Sequence, residues 1–251
     1  MYKLMAVSAL ALALGGTAAR ADVVVNDYNP GGWTFSNADN LVADPTNVGQ
    51  FVTGPGTPPL GTGSANLQVY NGSSSEILIN GTINPGALGS TFAASYQTYV
   101  TSSTPGSGSA PNLEFDLTNG PTYFGRLVFD PGLLQPAAVT TGQWQNWDTS
   151  SASGWYFTHS SSQFSNACSI NAPCTLSTAE ADLATASVTA EDVIFKAGSD
   201  QTNFNANVDD LVLTINGTTT TYDFEPVPEP ASLTLLGISV LGLARIRSRK
   251  S

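Results

Sequence analysis

The stretch Val208-Asp209-Asp210-Leu211-Val212-Leu213-Thr214-Ile215, then Asn216-Gly217, then Thr218-Thr219-Thr220-Thr221-Tyr222-Asp223-Phe224, reads as a closed β-hairpin. Both arms carry β-branched and aromatic residues, which suit a pleated, half-buried surface. Asn-Gly readily takes the positive φ angles of a two-residue type I′ turn, whose twist matches that of the flanking strands. The same pattern recurs outward along the chain, as short alternating apolar and polar runs separated by Gly, Pro, Asn and Ser clusters.

Asp22 to Tyr28 opens with valines and turns through Asn29-Pro30-Gly31-Gly32 into Trp33-Thr34-Phe35. A Pro/Gly loop from Gly54 to Gly63 leads into Ala65–Tyr70, and Asn71-Gly72 turns before Glu76–Asn80. Further strands are predicted over Thr91–Val100, Leu113–Leu117, Tyr123–Phe129, Val139–Trp147 and Trp155–Thr158. One helix is predicted, Ser177–Ala186, with Ser177 as N-cap and Glu180 three residues on as its capping-box partner. Many short strands with one helix predict an all-β fold, an antiparallel β-sandwich of jelly-roll type.

The charge is uneven. Of 19 acidic residues only Glu229 lies outside 22–225, and of eight basic residues only Arg126 and Lys196 lie within it. That segment therefore carries two bases against 18 acids, a formal charge of −16 where the whole chain has −11. Such a surface repels nucleic acid and anionic lipid, so nucleic-acid partners are excluded. Phosphate loops, zinc-binding His pairs and Gly-x-Ser-x-Gly elbows are absent from the sequence.

Both ends read as address labels. Residues 1–21 have a basic start at Lys3, an apolar Leu4–Leu14 run and a small-x-small cut site at Ala19-Arg20-Ala21, the features of a signal peptide for the Sec export machinery. Thr17-Ala18-Ala19 is an alternative cut site. At the other end, residues 226–251 contain Pro228-Glu229-Pro230, an apolar run from Ala231 to Ala244, and Arg245, Arg247, Arg249 and Lys250. Fourteen helical residues rise only about 21 Å, against about 30 Å of hydrocarbon, so the single transmembrane tail suits a temporary tether better than a permanent anchor. The basic end places the C-terminus in the cytoplasm.

This triplet, apolar run and basic end, in that order, resemble the PEP-CTERM sorting domain of Gram-negative bacteria; an ordinary C-terminal anchor is the alternative. The resemblance implies an exosortase-type transpeptidase as partner, brief attachment to the inner membrane with the body (22–225) in the periplasm, then delivery to the cell surface or extracellular matrix. Val52–Val69 and Asn207–Glu225 resemble concanavalin-like and galactose-binding-like jelly rolls. That resemblance implies a carbohydrate- or matrix-binding module. The leading reading of the whole chain is a non-enzymatic surface or matrix protein that binds polysaccharide or another matrix component.

The chemistry-bearing residues each have two readings. Cys168 and Cys174, outside the cytoplasm, are expected to form a disulfide; metal binding would need more ligands than the single His159 offers. Trp144, Trp147, Trp155 and Tyr156 cluster, and Trp147, Trp155 and Tyr156 are candidate sugar-stacking rings or else core residues. Asp209, with Asp27, is a candidate Ca²⁺ ligand, or else a carboxylate bound to loop amides; Glu191-Asp192 is a weaker candidate of the same kind. No other cofactor is indicated. Glu114 and Asp116 share one face of a strand, as a glycan hydrolase's acid and nucleophile would, or else they form a polar outer face. A purely structural coat protein is the third reading of the chain.

Overall fold

The structure, a computed structural model, describes residues 21–37, 49–69, 76–89, 91–103, 109–134, 139–158, 164, 168–197 and 203–227. The elements, in chain order, are β1 (Ala21–Val25), β2 (Trp33–Asn37), β3 (Gln50–Thr53), β4 (Gly63–Val69), β5 (Glu76–Asn80), β6 (Ala93–Ser102), β7 (Asn112–Asn119), β8 (Thr122–Phe129), α1 (Pro131–Leu134), β9 (Trp144–Asp148), β10 (Trp155–Phe157), α2 (Leu176–Ala186), β11 (Thr189–Lys196), β12 (Phe204–Ile215) and β13 (Thr218–Phe224). They form a sandwich of a seven-stranded and a six-stranded sheet.

The hairpin forms as its sequence predicts. Asn216 and Gly217 have φ of 51° and 77°, the two positive values a type I′ turn needs, and Ile215 pairs with Thr218. β12 is the spine of the seven-stranded sheet. β6 runs antiparallel along one side of it, with β9 outside β6. On the other side β12 changes partner: Phe204–Val208 pairs with β4, itself paired with β3, while Leu211–Ile215 pairs with β13. The change falls at Asp209-Asp210, where the register with β6 shifts and Asp210 takes φ 50°. This bulge re-aims the strand between its two neighbours. The six-stranded sheet is antiparallel throughout, in the order β10-β8-β7-β11-β5-β2.

Several features differ from the sequence reading, among them a second helix, the four-residue α1, where one helix was predicted, and a β12 that starts at Phe204 and not at Val208. β1 pairs with β13 in parallel, so the sandwich is not wholly antiparallel. β9 begins only at Trp144, not Val139. β3 and β11 were not predicted, because β3 is a four-residue edge strand and Glu191-Asp192 interrupts the alternation of β11. That interruption is a bulge, with Asp192 at φ 53°. Finally, α2 starts earlier: Thr175, extended at φ −79° and ψ 159°, accepts from the Thr178 amide and is the true N-cap. Glu180 does not complete a capping box; its Oε1 is buried without a hydrogen-bond partner among the described residues.

Inward side chains of both sheets make one core. Leu67, Phe204, Ala206, Val208, Leu211 and Leu213 face Leu78, Leu113, Phe115, Leu127, Phe129 and Phe195. Trp33 lies across Phe195 at 6.1 Å and edge-on to Phe224 at 5.2 Å. Tyr96 is fully buried but donates its hydroxyl proton to the Pro111 carbonyl at 2.9 Å, so its polar end is satisfied.

The predicted disulfide is present. Cys168 and Cys174 are bonded with Cα atoms 5.2 Å apart. Cys174 exchanges backbone hydrogen bonds of 3.1 and 2.8 Å with Trp155, and Phe157 donates to Cys168 O at 3.2 Å, so the bridge holds the segment against the edge of β10. On the loop-entropy model so short a ring adds about 2 kcal/mol. Cys168→Ser with Cys174→Ser is expected to lower the thermal midpoint by roughly 4–8 °C for a domain of this size, read by calorimetry against untreated protein.

Candidate functional site

Residues paired across a sheet share a face. Tyr156 pairs with Val128, Val128 with Glu114, Glu114 with Ile194, Ile194 with Ile79 and Ile79 with Thr34. Their chain neighbours Leu113, Phe115, Phe129 and Phe157 are in the core, so this row lies on the outer side of the six-stranded sheet. A second row sets Arg126 opposite Asp116 and Asp116 opposite Glu191; a third sets Tyr123 opposite Thr118 and Thr118 opposite Thr189.

Arg126 organises this face. Its Nε donates to Asp116 Oδ1 at 2.6 Å and its Nη1 to Glu114 Oε2 at 3.0 Å. Burial alone would lower the guanidinium pKa, but the charges of Glu114 and Asp116 outweigh it and raise it above its ordinary value. Glu114 is only 3% exposed, and Val128 and Ile194 beside it are fully buried, so the middle of the face is closed to water. Its accessible margin is Tyr123, 54% exposed, with a phenol pKa raised by burial and by the nearby Asp116. Asp192, in the β11 bulge, is likewise raised, by burial and by Asp116 and Glu191.

The opposite outer face, on the seven-stranded sheet, is a closed polar ladder. Asn66 Nδ2 donates to Asn205 Oδ1 at 2.8 Å and to Asn207 Oδ1 at 3.1 Å, Gln68 donates to Asn66, and Asn207 donates to Ser64 at 2.8 Å. The loop between β3 and β4 is fastened near it at three places. Trp144 Nε1 donates to Pro55 O at 2.9 Å, the Leu60 amide to Asp209 Oδ2 at 3.2 Å, and the Thr62 amide to Glu225 Oε1 at 2.6 Å. Asp209 also accepts from the Phe224 amide at 3.1 Å. Burial pushes its pKa up to about 7 in spite of these amide bonds, which favour the charged form. A cleft of about 300 Å³ opens further along this face, between Ser95, Asn146, Asp148 and Thr214.

The structure sorts the sequence candidates. Trp155 is fully buried against Phe115 and Phe129, and Trp147 is 6% exposed with Nε1 donating to Thr98 at 2.8 Å. Both are core residues and present no ring face to a sugar, which corrects the expectation that they stack on one. The reason is alternation: each points inward from its strand. Tyr156, between two inward residues, points outward and is half-buried. Asp209 takes the amide-binding role, while Asp27 stands exposed in the turn after β1. Among the described residues no three His, Cys, Asp or Glu side chains stand together as a metal site. Glu114 and Asp116 do share a face, as predicted, but both are engaged by Arg126. Tyr123 and Arg126 were missed as site residues; the available signal was that Arg126 is one of two bases in an acidic body and lies one predicted strand from a Glu-x-Asp pair.

The signal peptide (apart from its last residue), His159, the Pro228-Glu229-Pro230 triplet, the Ala231–Ala244 run and the basic residues Arg245, Arg247, Arg249 and Lys250 lie outside the described residues. Among those described, no helix is long and apolar enough to cross a membrane. Residues 226–250 match the PEP-CTERM protein-sorting motif. The chain thus carries this sorting signal and is an exported protein directed to the cell envelope. No curated protein matches it in sequence. Among solved structures it is similar to a family 11 carbohydrate-binding module from Clostridium thermocellum, determined in complex with a β-1,3-1,4-mixed-linked tetrasaccharide. The identity is 8% and the TM-score 0.40, over 74% of this chain and 90% of that one.

Proposed function

We propose that the protein is a non-enzymatic polysaccharide- or matrix-binding module. It is exported through the Sec machinery, held briefly at the inner membrane by its tail, processed by an exosortase-type transpeptidase, and delivered to the cell surface or matrix. The observation that carries the binding half is the outer margin of the six-stranded sheet. Tyr123 is exposed there and Tyr156 half-exposed; Arg126 lies between them along the sheet, and Asp116 stands beside Arg126 on the side away from Tyr156. Tyrosine faces stack on the apolar faces of sugar rings, and fixed carboxylate and guanidinium groups bind hydroxyls. At strand spacing the two tyrosines stand on the order of 15 Å apart, long enough to favour a chain of sugars over a single ring.

The purified body, applied to a panel of bacterial and plant polysaccharides, is expected to retain one class of glycan without releasing reducing ends. Tyr123→Ala with Tyr156→Ala is expected to weaken that binding at least tenfold, because each stacked ring contributes on the order of 1 kcal/mol. Turnover abolished by Glu114→Gln would establish the glycan hydrolase instead. Absence of any glycan binding would favour a structural coat protein.

A further inference from the structure

The sorting signal begins inside the folded body. The matched motif starts at Pro226, yet Glu225 and Pro226 are packed against the sandwich. The Glu225 amide donates to Val25 O at 2.9 Å, which ties it to β1. Its carboxylate accepts from the Thr62 amide at 2.6 Å and the Thr62 hydroxyl at 3.0 Å. Gly61 and Gly63 are the residues that make this possible. A Cβ at Gly61 would overlap Glu225 Oε1, and one at Gly63 would meet Pro226 Cδ, with Glu225 Cα only 2.6 Å away. The closing strand is thus locked up to the first residue of the signal.

This lock leaves one residue, Val227, between the packed chain and Pro228-Glu229-Pro230. Even fully extended, Pro226 to Glu229 spans about 11 Å at most, from roughly 3.6 Å per residue. A folded enzyme acting on the triplet therefore touches the body, or else must peel Glu225 and Pro226 away from it. The surface it meets is acidic. Asp223 Oδ1 and Glu225 Oε1 both lie within 3.3 Å of where a Cβ on Gly61 would stand, and Asp22 is on β1, the strand paired with the β13 that carries Asp223. Burial first, and then the charges of Glu225, Asp210 and Asp22, push Asp223 up to about 6. Such a rim repels an anionic bilayer and attracts a basic protein surface.

We propose that the membrane-embedded processing enzyme docks on the folded body at the rim formed by Asp22, the Leu60–Thr62 loop, Asp223 and Glu225, through a basic surface of its own. The sorting signal is then read together with the fold that presents it, and a body that has not closed β1 and the Thr62–Glu225 contact lacks the docking surface. This rests on the exosortase reading of the tail.

Conversion of full-length precursor to the shortened form tests it, followed by pulse-chase and mass spectrometry in a host with the processing enzyme. Four proteins are compared: the natural chain, a rim-neutralised chain (Asp22→Asn, Asp223→Asn, Glu225→Gln), and each of these with a twelve-residue Gly-Ser spacer after Val227. Thermal unfolding of the purified bodies checks that they remain folded. The rim-neutralised chain is expected to be processed about tenfold more slowly at natural spacing. With the spacer, the difference between rim and neutral rim is expected to vanish, and neither form is to be faster than the natural chain. Equal rates for natural and neutralised chains at natural spacing overturn the docking proposal. So does faster processing with the spacer, which would make the body an obstacle. If the natural chain is not shortened at all, the exosortase reading itself fails, an outcome distinct from the other two.

Discussion

Arg126→Ala is expected to destabilise the protein by about 3 kcal/mol, because it leaves Glu114 as an unpaired charge in a site closed to water. The Arg126 side chain is 15% exposed and that of Glu114 4%, so solvent cannot take over the lost partner. Asp116, at 20%, can turn partly to water and adds less. For a domain near 200 residues the loss corresponds to roughly 6–12 °C in thermal midpoint. The pair as a whole need not be strongly stabilising, since desolvating both ions offsets much of their attraction. Arg126→Met combined with Glu114→Leu is therefore expected to regain most of the lost stability. A single Arg126→Ala that unfolds within a degree of the natural protein would show the triad to be solvated after all.

The second large effect is a dependence on pH. Asp209 titrates at about 7 in the folded protein against 3.8 for an ordinary aspartate, and burial is the cause. A carboxyl whose folded pKa is raised binds more protons when folded than when unfolded. Its contribution is fully present below pH 4 and is lost as pH rises toward 7. Asp223, up to about 6, and Asp192 and Glu180, raised chiefly by burial, act in the same direction. Asp148, lowered by its bonds to Ser150, opposes them weakly because it is exposed. The protein is expected to be more stable at pH 5 than at pH 8 by on the order of 3 kcal/mol. Thermal unfolding at the two pH values measures this. Asp209→Asn should flatten most of the slope while itself costing about 1–2 kcal/mol, because the amides of Leu60, Asp210 and Phe224 then share a single acceptor oxygen. A stability that rises from pH 5 to 8 would contradict the assignment.

Much of the sandwich was legible because alternation and turn chemistry are local. Glu76–Asn80 and Thr218–Phe224 coincide with β5 and β13 to the residue, and Asn216-Gly217 turned as its backbone preferences require. What could not be read depends on distant chain. β11 is broken in sequence by a bulge whose purpose is visible only beside β7, and β1 finds a parallel partner almost 200 residues away. The same limit governed the site. A sequence shows that Trp147 and Trp155 are large and close together, but only the pairing shows that both point inward. Likewise Glu114 and Asp116 were correctly placed on one face, whereas their common partner Arg126 comes from the next strand.

Asp209 joins the two parts of the structure that matter most. It sits where β12 leaves β4 for β13, and it fastens both the Leu60 loop and the end of the closing strand. Beyond it Glu225 completes the attachment of the tail. The outer margin around Tyr123 lies on the other sheet, so the proposed ligand-binding margin and the proposed docking rim are separate surfaces.

The most direct test of the binding account is a crystal structure of the protein with an oligosaccharide from a glycan it retains. The account predicts sugar rings against Tyr123 and Tyr156, with hydroxyls on Asp116 and Arg126. Sugar seated instead on the seven-stranded sheet, or a Tyr123/Tyr156 margin left empty beside a bound glycan elsewhere, would contradict it.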